Sequence, residues 1–288
     1  MVSSKELFFV KVEFLELIKI SNIKTLLFHS YFRNPDNLRD INNSKFLMDW
    51  FKSWFDSPYY HLLYKNRNDA EAKTFLDNIV KFLKPASSSN MLDQACGKGR
   101  HAKYLNSLGF DVTGIDLSKQ SIADCRKFEN EHLEFFVHDM RRIFRTNYFD
   151  YVFNIFTSIG YFRHDHDQQL AVDSGAIALK KGGKYIIDFM NVVKILPQLK
   201  KEDTKTVDAI TFHIQKKVEN GFILKKIQFT DNGKEYEFEE IVEAITLKDF
   251  ERYFEHAGLA IKNIFGNYAL DRFDEQSSDR LIIVAEKM

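Results

Sequence analysis

From residue 90 onward, short apolar runs alternate with segments of helical periodicity, and this alternation constrains the fold more than any other feature. NMLDQA, FDVTGID, LEFFVHD, FDYVFNIF and KYIIDFM are the apolar runs. They are continuously apolar rather than alternating with polar residues, the pattern of strands covered on both faces. GRHAKYLNSLG, SKQSIADCRKFEN and DQQLAVDSGAIALKKGG read as helices. The first should end at Gly109, the second should start at a Ser118 cap, and the third should stop at paired glycines. Such a chain folds as an α/β protein with a doubly wound, mostly parallel sheet.

After residue 205 the pattern changes. ITFHIQKKVE, FILKKIQFT and KEYEFEEIVEAI are separated by Asn220-Gly221 and by Asp231-Asn232-Gly233. Asn-Gly between such runs signals a hairpin, because type I′ turns need positive φ at both central residues. A three-stranded antiparallel sheet is therefore expected over residues 205–242, inserted into an α/β domain of residues 48–204 and 243–288. Lys216, Lys217, Lys225 and Lys226 read as its solvated face. Thr246 and Asp249 fit a capping box opening LKDFERYFEHAG, and LAIKNIFGNY and RLIIVAEK read as two closing strands.

Residues 1–47 show weak helical periodicity and then a polar, linker-like run, RNPDNLRDINNS. Two readings stand: a dispensable extension with the functional start at Met48, or an N-terminal helix packed on the domain. Beyond Met48, apolar residues recur at helical spacing, first Trp50, Phe51 and Trp54, then Phe75, Ile79, Val80 and Leu83.

Lys plus Arg number 41 and Asp plus Glu 41, so no net basic footprint marks a nucleic-acid surface. Cys96 and Cys125 have neither zinc-type spacing nor a disulfide framework. Charges interrupt the apolar N-terminus, and no run approaches the ~18 apolar residues of a membrane span. A soluble, cytoplasmic protein without membrane partner or metal is expected.

The chemistry centres on MLDQACGKGRHA, residues 91–102. A glycine turn from strand to helix brings backbone N–H groups and a helix N-terminus close to a polar ligand. Gly97-x-Gly99-x-x-Ala102 satisfies the loose dinucleotide pattern, but Asp93 stands where such a strand usually stays apolar. Asp116 ends the next strand, about where a carboxylate receives ribose hydroxyls, and Asp139 ends the third. Three consecutive strands thus deliver acids to the rim where ligands bind in such sheets.

LDQACGKGRHAKYLNSLGFDVTGIDLSKQSI resembles motifs I and II of class I S-adenosylmethionine-dependent methyltransferases. The resemblance continues through HDM, FDYVFNIFTSIGYF and LKKGGKYIIDF, and covers roughly residues 55–287. It implies a seven-stranded Rossmann-like sheet and S-adenosylmethionine as cofactor, with S-adenosylhomocysteine as product. It also implies that Asp93, Ala95, Cys96, Gly97 and Gly99 underlie the methionine moiety, that Asp116 holds the ribose and that Leu117 packs on adenine. Asp139 and Met140 would read the adenine edge, Phe156 would lie near donor and acceptor, and Tyr64 would close over the donor. Arg100 stands where many members have a third loop glycine, and either holds the cofactor carboxylate or faces solvent. Cys96 reads as a small residue rather than a nucleophile, and Cys125 as core.

Methyl transfer from a sulfonium needs mainly an in-line acceptor and exclusion of water, so no catalytic residue is implied. Tyr60, His61 and Tyr161 are acceptor-pocket candidates, beside Tyr59, Arg67, His164 and His166. The His/Asp alternation from His164 to Asp167 reads as a solvated helix start rather than a metal site. No Asn/Asp-Pro-Pro-aromatic signature follows the fourth strand, and neither cysteine suits pyrimidine methylation. The expected acceptor is an O, N or S atom of a small molecule, covered by the inserted sheet. RNA or protein methylation, a catalytically silent cofactor-binding subunit and an NAD-type oxidoreductase are the competing readings.

Overall fold

A computed structural model describes residues 50–65 and 69–288. The expectations for residues 1–47 and for Arg67 lie outside the described residues. The chain divides into the units Met1–Trp50 and Phe51–Met288, and all the described residues but Trp50 belong to the second unit.

Two short helices lead, α1 (Trp50–Phe55) and α2 (Pro58–Leu63), followed by α3 (Asp69–Leu83). Ser57 caps α2 by accepting the Tyr59 N–H at 3.2 Å, and Pro58 fills the first helical position, where no donor is needed. The doubly wound body then runs β1 (Asn90–Gln94), α4 (Arg100–Ser107), β2 (Asp111–Asp116), α5 (Lys119–Cys125), β3 (Leu133–Val137), β4 (Phe149–Asn154), α6 (Asp165–Ala178) and β5 (Leu179–Met190). A short α7 (Val192–Ile195) leads into the inserted strands β6 (Glu202–Val207), β7 (Ile210–Glu219), β8 (Phe222–Asp231) and β9 (Lys234–Glu243). The chain returns through α8 (Leu247–His256), β10 (Leu259–Phe265) and β11 (Arg280–Lys287).

The main sheet has seven strands in the order β10-β11-β5-β4-β1-β2-β3. β3, β2, β1, β4 and β5 are parallel, whereas β11 pairs antiparallel with both β5 and β10. Neighbouring residues of a strand feed opposite cores. Met91, Val112, Phe153 and Ile186 pack with α3, α4 and α5, while Leu92, Ile115, Val152 and Ile187 pack with α6 and α8. Burial on both faces is why these strands read as continuous apolar runs.

Several expectations are corrected. The inserted sheet has four strands, not three, in the order β6-β7-β8-β9. Its extra strand, EDTKTV, is an edge strand with alternating exposure, so it carries almost no apolar signal. The paired glycines do not stop α6, which ends at Ala178. Gly182 and Gly183 instead lie inside β5, where the register against β4 shifts between Phe149 and Tyr151. Lys225 is not on a solvated face; its ammonium is largely buried against Glu240. The two hairpin turns form as expected, with positive φ at Asn220, Gly221, Asn232 and Gly233, and Thr246 and Asp249 make the capping box.

No helix among the described residues is long and apolar enough to cross a membrane. Among those residues no cluster of three or more His, Cys, Asp or Glu side chains could hold a metal ion. His164 is the residue before α6, and Asp165 beside it is bonded by Arg252 and Tyr253.

Candidate active site

The chain leaves β1 toward β2 and β3 on one side, then crosses to β4 on the other. A crevice therefore opens beyond the carboxyl ends of β1 and β4, the point where ligands bind in such sheets. Here lies a cleft of 580 Å³, within the ~300–1,000 Å³ usual for small-molecule sites.

Its floor is the turn after β1. Ala95, Gly97 and Gly99 all take left-handed φ values, +67°, +53° and +68°. The two glycines are required for different reasons. A Cβ on Gly99 would stand 2.6 Å from the Phe135 ring, so this residue lets the turn lie on the core. A Cβ on Gly97 would meet nothing within 4 Å, so this residue leaves space open beside the cleft. Asp116 ties the turn to β2: its Oδ2 accepts the Gly97 N–H and its Oδ1 the Ser118 N–H, both at 2.8 Å. Burial raises its pKa against those hydrogen bonds.

Asp93 is 1% exposed and accepts the Ala102 N–H at 3.1 Å, which satisfies an otherwise free donor in the first turn of α4. Burial pushes its pKa up to about 7. Its carboxylate thus supports the turn from beneath and is not part of the cleft wall.

The second wall is the loop after β4. Phe156 and Thr157 have φ of +64° and +60°, rare for residues with side chains and costly. Asp188, fully buried at the end of β5, holds them. Its Oδ2 accepts the Phe156 N–H at 2.9 Å, and its backbone carbonyl accepts the Thr157 N–H at 2.9 Å. Arg280 Nε donates to Asp188 Oδ1 at 2.7 Å and its Nη2 to Thr157 Oγ1 at 3.2 Å, while the Tyr268 hydroxyl donates to Asp188 Oδ2 at 3.1 Å. The Phe156 ring is stacked between His101 and Tyr268, at 5.1 and 5.7 Å, with the Arg100 guanidinium 4.7 Å from its centre. Burial holds His101 near pKa 3, so it is neutral.

The roof is α1, α2 and the residues after them. Phe55, Tyr60, His61 and Tyr64 face the cleft, and Phe55 meets Tyr161 edge-on at 5.1 Å. His61 Nε2 is buried without a hydrogen-bond partner. Burial, then the nearby Lys98, lowers its pKa, with Asp124 and Asp56 acting the other way.

Of the residues singled out from sequence, the cleft brings together Tyr60, His61, Tyr64, Ala95, Cys96, Gly97, Arg100, Asp116, Phe156 and Tyr161. Asp93, Gly99, Leu117, Asp139 and Met140 are outside its lining. Asp139 is bonded to Arg141, at 2.6 Å from Nη2 and 3.0 Å from Nε. Burial raises its pKa, but these bonds outweigh burial and hold it below the usual range. The Met140 carbonyl accepts from Gln94 Nε2 and its sulfur from Asn154 Nδ2. Cys96 and Cys125 are buried free thiols, both near the Gly97 carbonyl. Sequence reasoning missed His101, Asp188, Tyr268 and Arg280. Asp188 carried a usable signal, an acid ending the apolar run KYIIDFM, as Asp93 and Asp116 end theirs.

The donor set suits a ligand with a ribose, a carboxylate and a cationic centre. Asp116 presents a carboxylate, Arg100 a guanidinium beside the turn, and Tyr60, Tyr64, Phe156 and Tyr161 present aromatic surface. The space beside Gly97 and the unpartnered His61 Nε2 leave room and one polar atom for a ligand.

Comparison with known proteins agrees with this geometry. Residues 91–183 match a family described as a methyltransferase domain. The chain is 28% identical over 221 residues to the dTDP-3-amino-3,4,6-trideoxy-alpha-D-glucopyranose N,N-dimethyltransferase of Streptomyces venezuelae, covering 72% of this chain and 91% of that one. Among solved structures, an S-adenosylmethionine-dependent methyltransferase from Clostridium acetobutylicum superposes with a TM-score of 0.68 at 19% identity, over 80% of this chain and 96% of the other. CalS10 from Micromonospora echinaspora, an amino pentose methyltransferase solved with S-adenosylmethionine, gives 0.59 at 18%, over 81% and 98%. The two structural likenesses establish the fold.

Proposed function

We propose that this chain, a class I S-adenosylmethionine-dependent methyltransferase, methylates an amine nitrogen of a small-molecule acceptor. One observation carries the choice of nitrogen: an unpartnered, buried imidazole nitrogen, His61 Nε2, in a cleft that also presents the rings of Phe55, Tyr60, Phe156 and Tyr161. When bound, S-adenosylmethionine supplies a methyl group on a cationic sulfur with a neutral thioether as leaving group. Asp116 would hold the ribose hydroxyls, Arg100 the carboxylate, and the N–H groups of the turn after β1 the amino-acid end.

The aromatic walls of Phe55, Tyr60, Phe156 and Tyr161 exclude water and tolerate positive charge, whether it sits on sulfur or on the methylated nitrogen. An amine at neutral pH arrives protonated and needs a base before it can act as nucleophile. His61 is held neutral by burial, so its Nε2 takes that proton and presents the nitrogen lone pair. A hydroxyl acceptor would need a stronger base than a histidine of lowered pKa. The relative from Streptomyces venezuelae, by its name an N,N-dimethyltransferase of an amino sugar, supports nitrogen. A cytoplasmic setting belongs to the same reading, since a reducing compartment keeps thiols free and both cysteines here are free.

The test is S-adenosylhomocysteine release by the full chain against matched pairs of amines and alcohols on the same sugar and small-molecule skeletons. Turnover confined to amines is expected. His61→Asn should lower kcat about 10²-fold, within the range for general-base catalysis. Turnover of the alcohols, or of RNA or protein alone, would reject the reading.

A further inference from the structure

None of residues 202–243 lines the cleft, although an inserted sheet was expected to cover the acceptor directly. Yet the roof is bonded to that sheet at point after point. The Tyr59 hydroxyl donates to Asp231 at 2.8 Å, and Lys205 Nζ to the Leu63 carbonyl at 2.6 Å. Trp54 packs on Phe238 with ring centres 4.5 Å apart, and Tyr59 packs on Phe229 and Tyr236.

At the centre of these contacts is Glu240, 7% exposed. Its Oε1 accepts Trp54 Nε1 at 2.7 Å, and both its oxygens lie within reach of the Tyr64 hydroxyl, at 2.6 and 2.8 Å. Lys225 lies directly opposite on β8, 3.1 Å from Oε2, and its ammonium also bonds the Tyr64 hydroxyl and lies 4.7 Å from that ring's centre. The ion pair is therefore made within the inserted sheet, and Trp54 and Tyr64 dock onto it. Tyr64 is the one member of this cluster that also lines the cleft.

We infer that Glu240 is a positioning residue that sets Tyr64 against the bound cofactor, so that the inserted sheet governs cofactor affinity without touching any ligand. The inference rests on the cofactor reading above. A carboxylate holding the far end of a tyrosine fixes where its ring lies, and the Lys225 ammonium 3.1 Å away holds that carboxylate in place. The sheet acts as the mount of the roof.

The experiment compares the full chain with Glu240→Gln, Tyr64→Phe and the double variant, reading KM for S-adenosylmethionine, kcat at saturation and melting temperature. Glu240→Gln should raise KM about tenfold with kcat within about twofold. The double variant should be no worse than Tyr64→Phe alone, since both changes break one contact. The Tyr64→Phe comparison stands alone should Glu240→Gln fail to fold, because removing one hydroxyl should raise KM to the same degree. A lowered melting temperature with unchanged KM, or additive effects in the double variant, would overturn the inference. Loss of all S-adenosylhomocysteine binding by the unaltered chain would overturn the cofactor reading and this inference together. That result differs from normal binding that is indifferent to Glu240.

Discussion

Asp93 shows how one buried side chain ties a strand end to the helix that follows it. It ends a parallel strand, is 1% exposed and holds the first turn of α4 through the Ala102 N–H. Because burial raises its pKa to about 7, the folded state binds a proton there more tightly than the unfolded chain does. This group's contribution to stability is therefore greatest below the unfolded value, near pH 4, and falls as pH rises toward 7. Asp93→Asn keeps an oxygen for the Ala102 N–H and removes the buried charge. Relative to the unaltered chain it should gain stability between pH 4 and pH 8, by up to about 4 kcal/mol. Urea titrations across that range check it, and parallel pH profiles for the two proteins would refute the assignment.

Elements place these residues, and the loop after β4 depends most on distant ones. Phe156 and Thr157 adopt their unfavourable backbone only because Asp188 on β5 and Arg280 on β11 receive them. Asp188→Asn should weaken the Arg280 pair and free the loop, lowering kcat by about 10–10² while circular dichroism stays native, the scale expected when a positioned wall is misplaced. An unchanged kcat would show that the loop's shape is irrelevant to turnover. The strand and helix pattern of the main sheet was legible because burial on both faces leaves an unmistakable apolar run. β6 was not legible, since an edge strand of EDTKTV differs little from loop. The glycine turn and the position of Asp116 at the end of β2 were legible from local pattern, whereas the placing of the aromatic segment over the cleft came from the family resemblance. The role of Lys225 was not, because a lysine reads as solvated until its partners, Tyr64 at 161 residues' separation and Glu240 across a hairpin, are known. The Asp139–Arg141 pair was not legible either: the two residues are close in sequence, but their spacing alone does not show that they bond.

At the scale of the whole molecule, the cofactor should act as a clamp between the turn after β1, the loop after β4 and the roof. Ligand at 100 times its dissociation constant stabilises a protein by about 2.7 kcal/mol. For a body of this size that is a rise in melting temperature of roughly 5–10 °C. S-adenosylhomocysteine should produce that rise in a thermal scan, and NAD should not; the reverse would return the chain to the oxidoreductase reading. The dependence of the roof on β8 and β9 also bears on how such a protein can be re-engineered. Grafting a foreign insertion between α7 and α8 would leave Trp54 and Tyr64 without the carboxylate that receives them, even if the new segment folded perfectly. The transplantable piece is discontinuous: residues 50–65 keep their mount only when 202–243 travel with them.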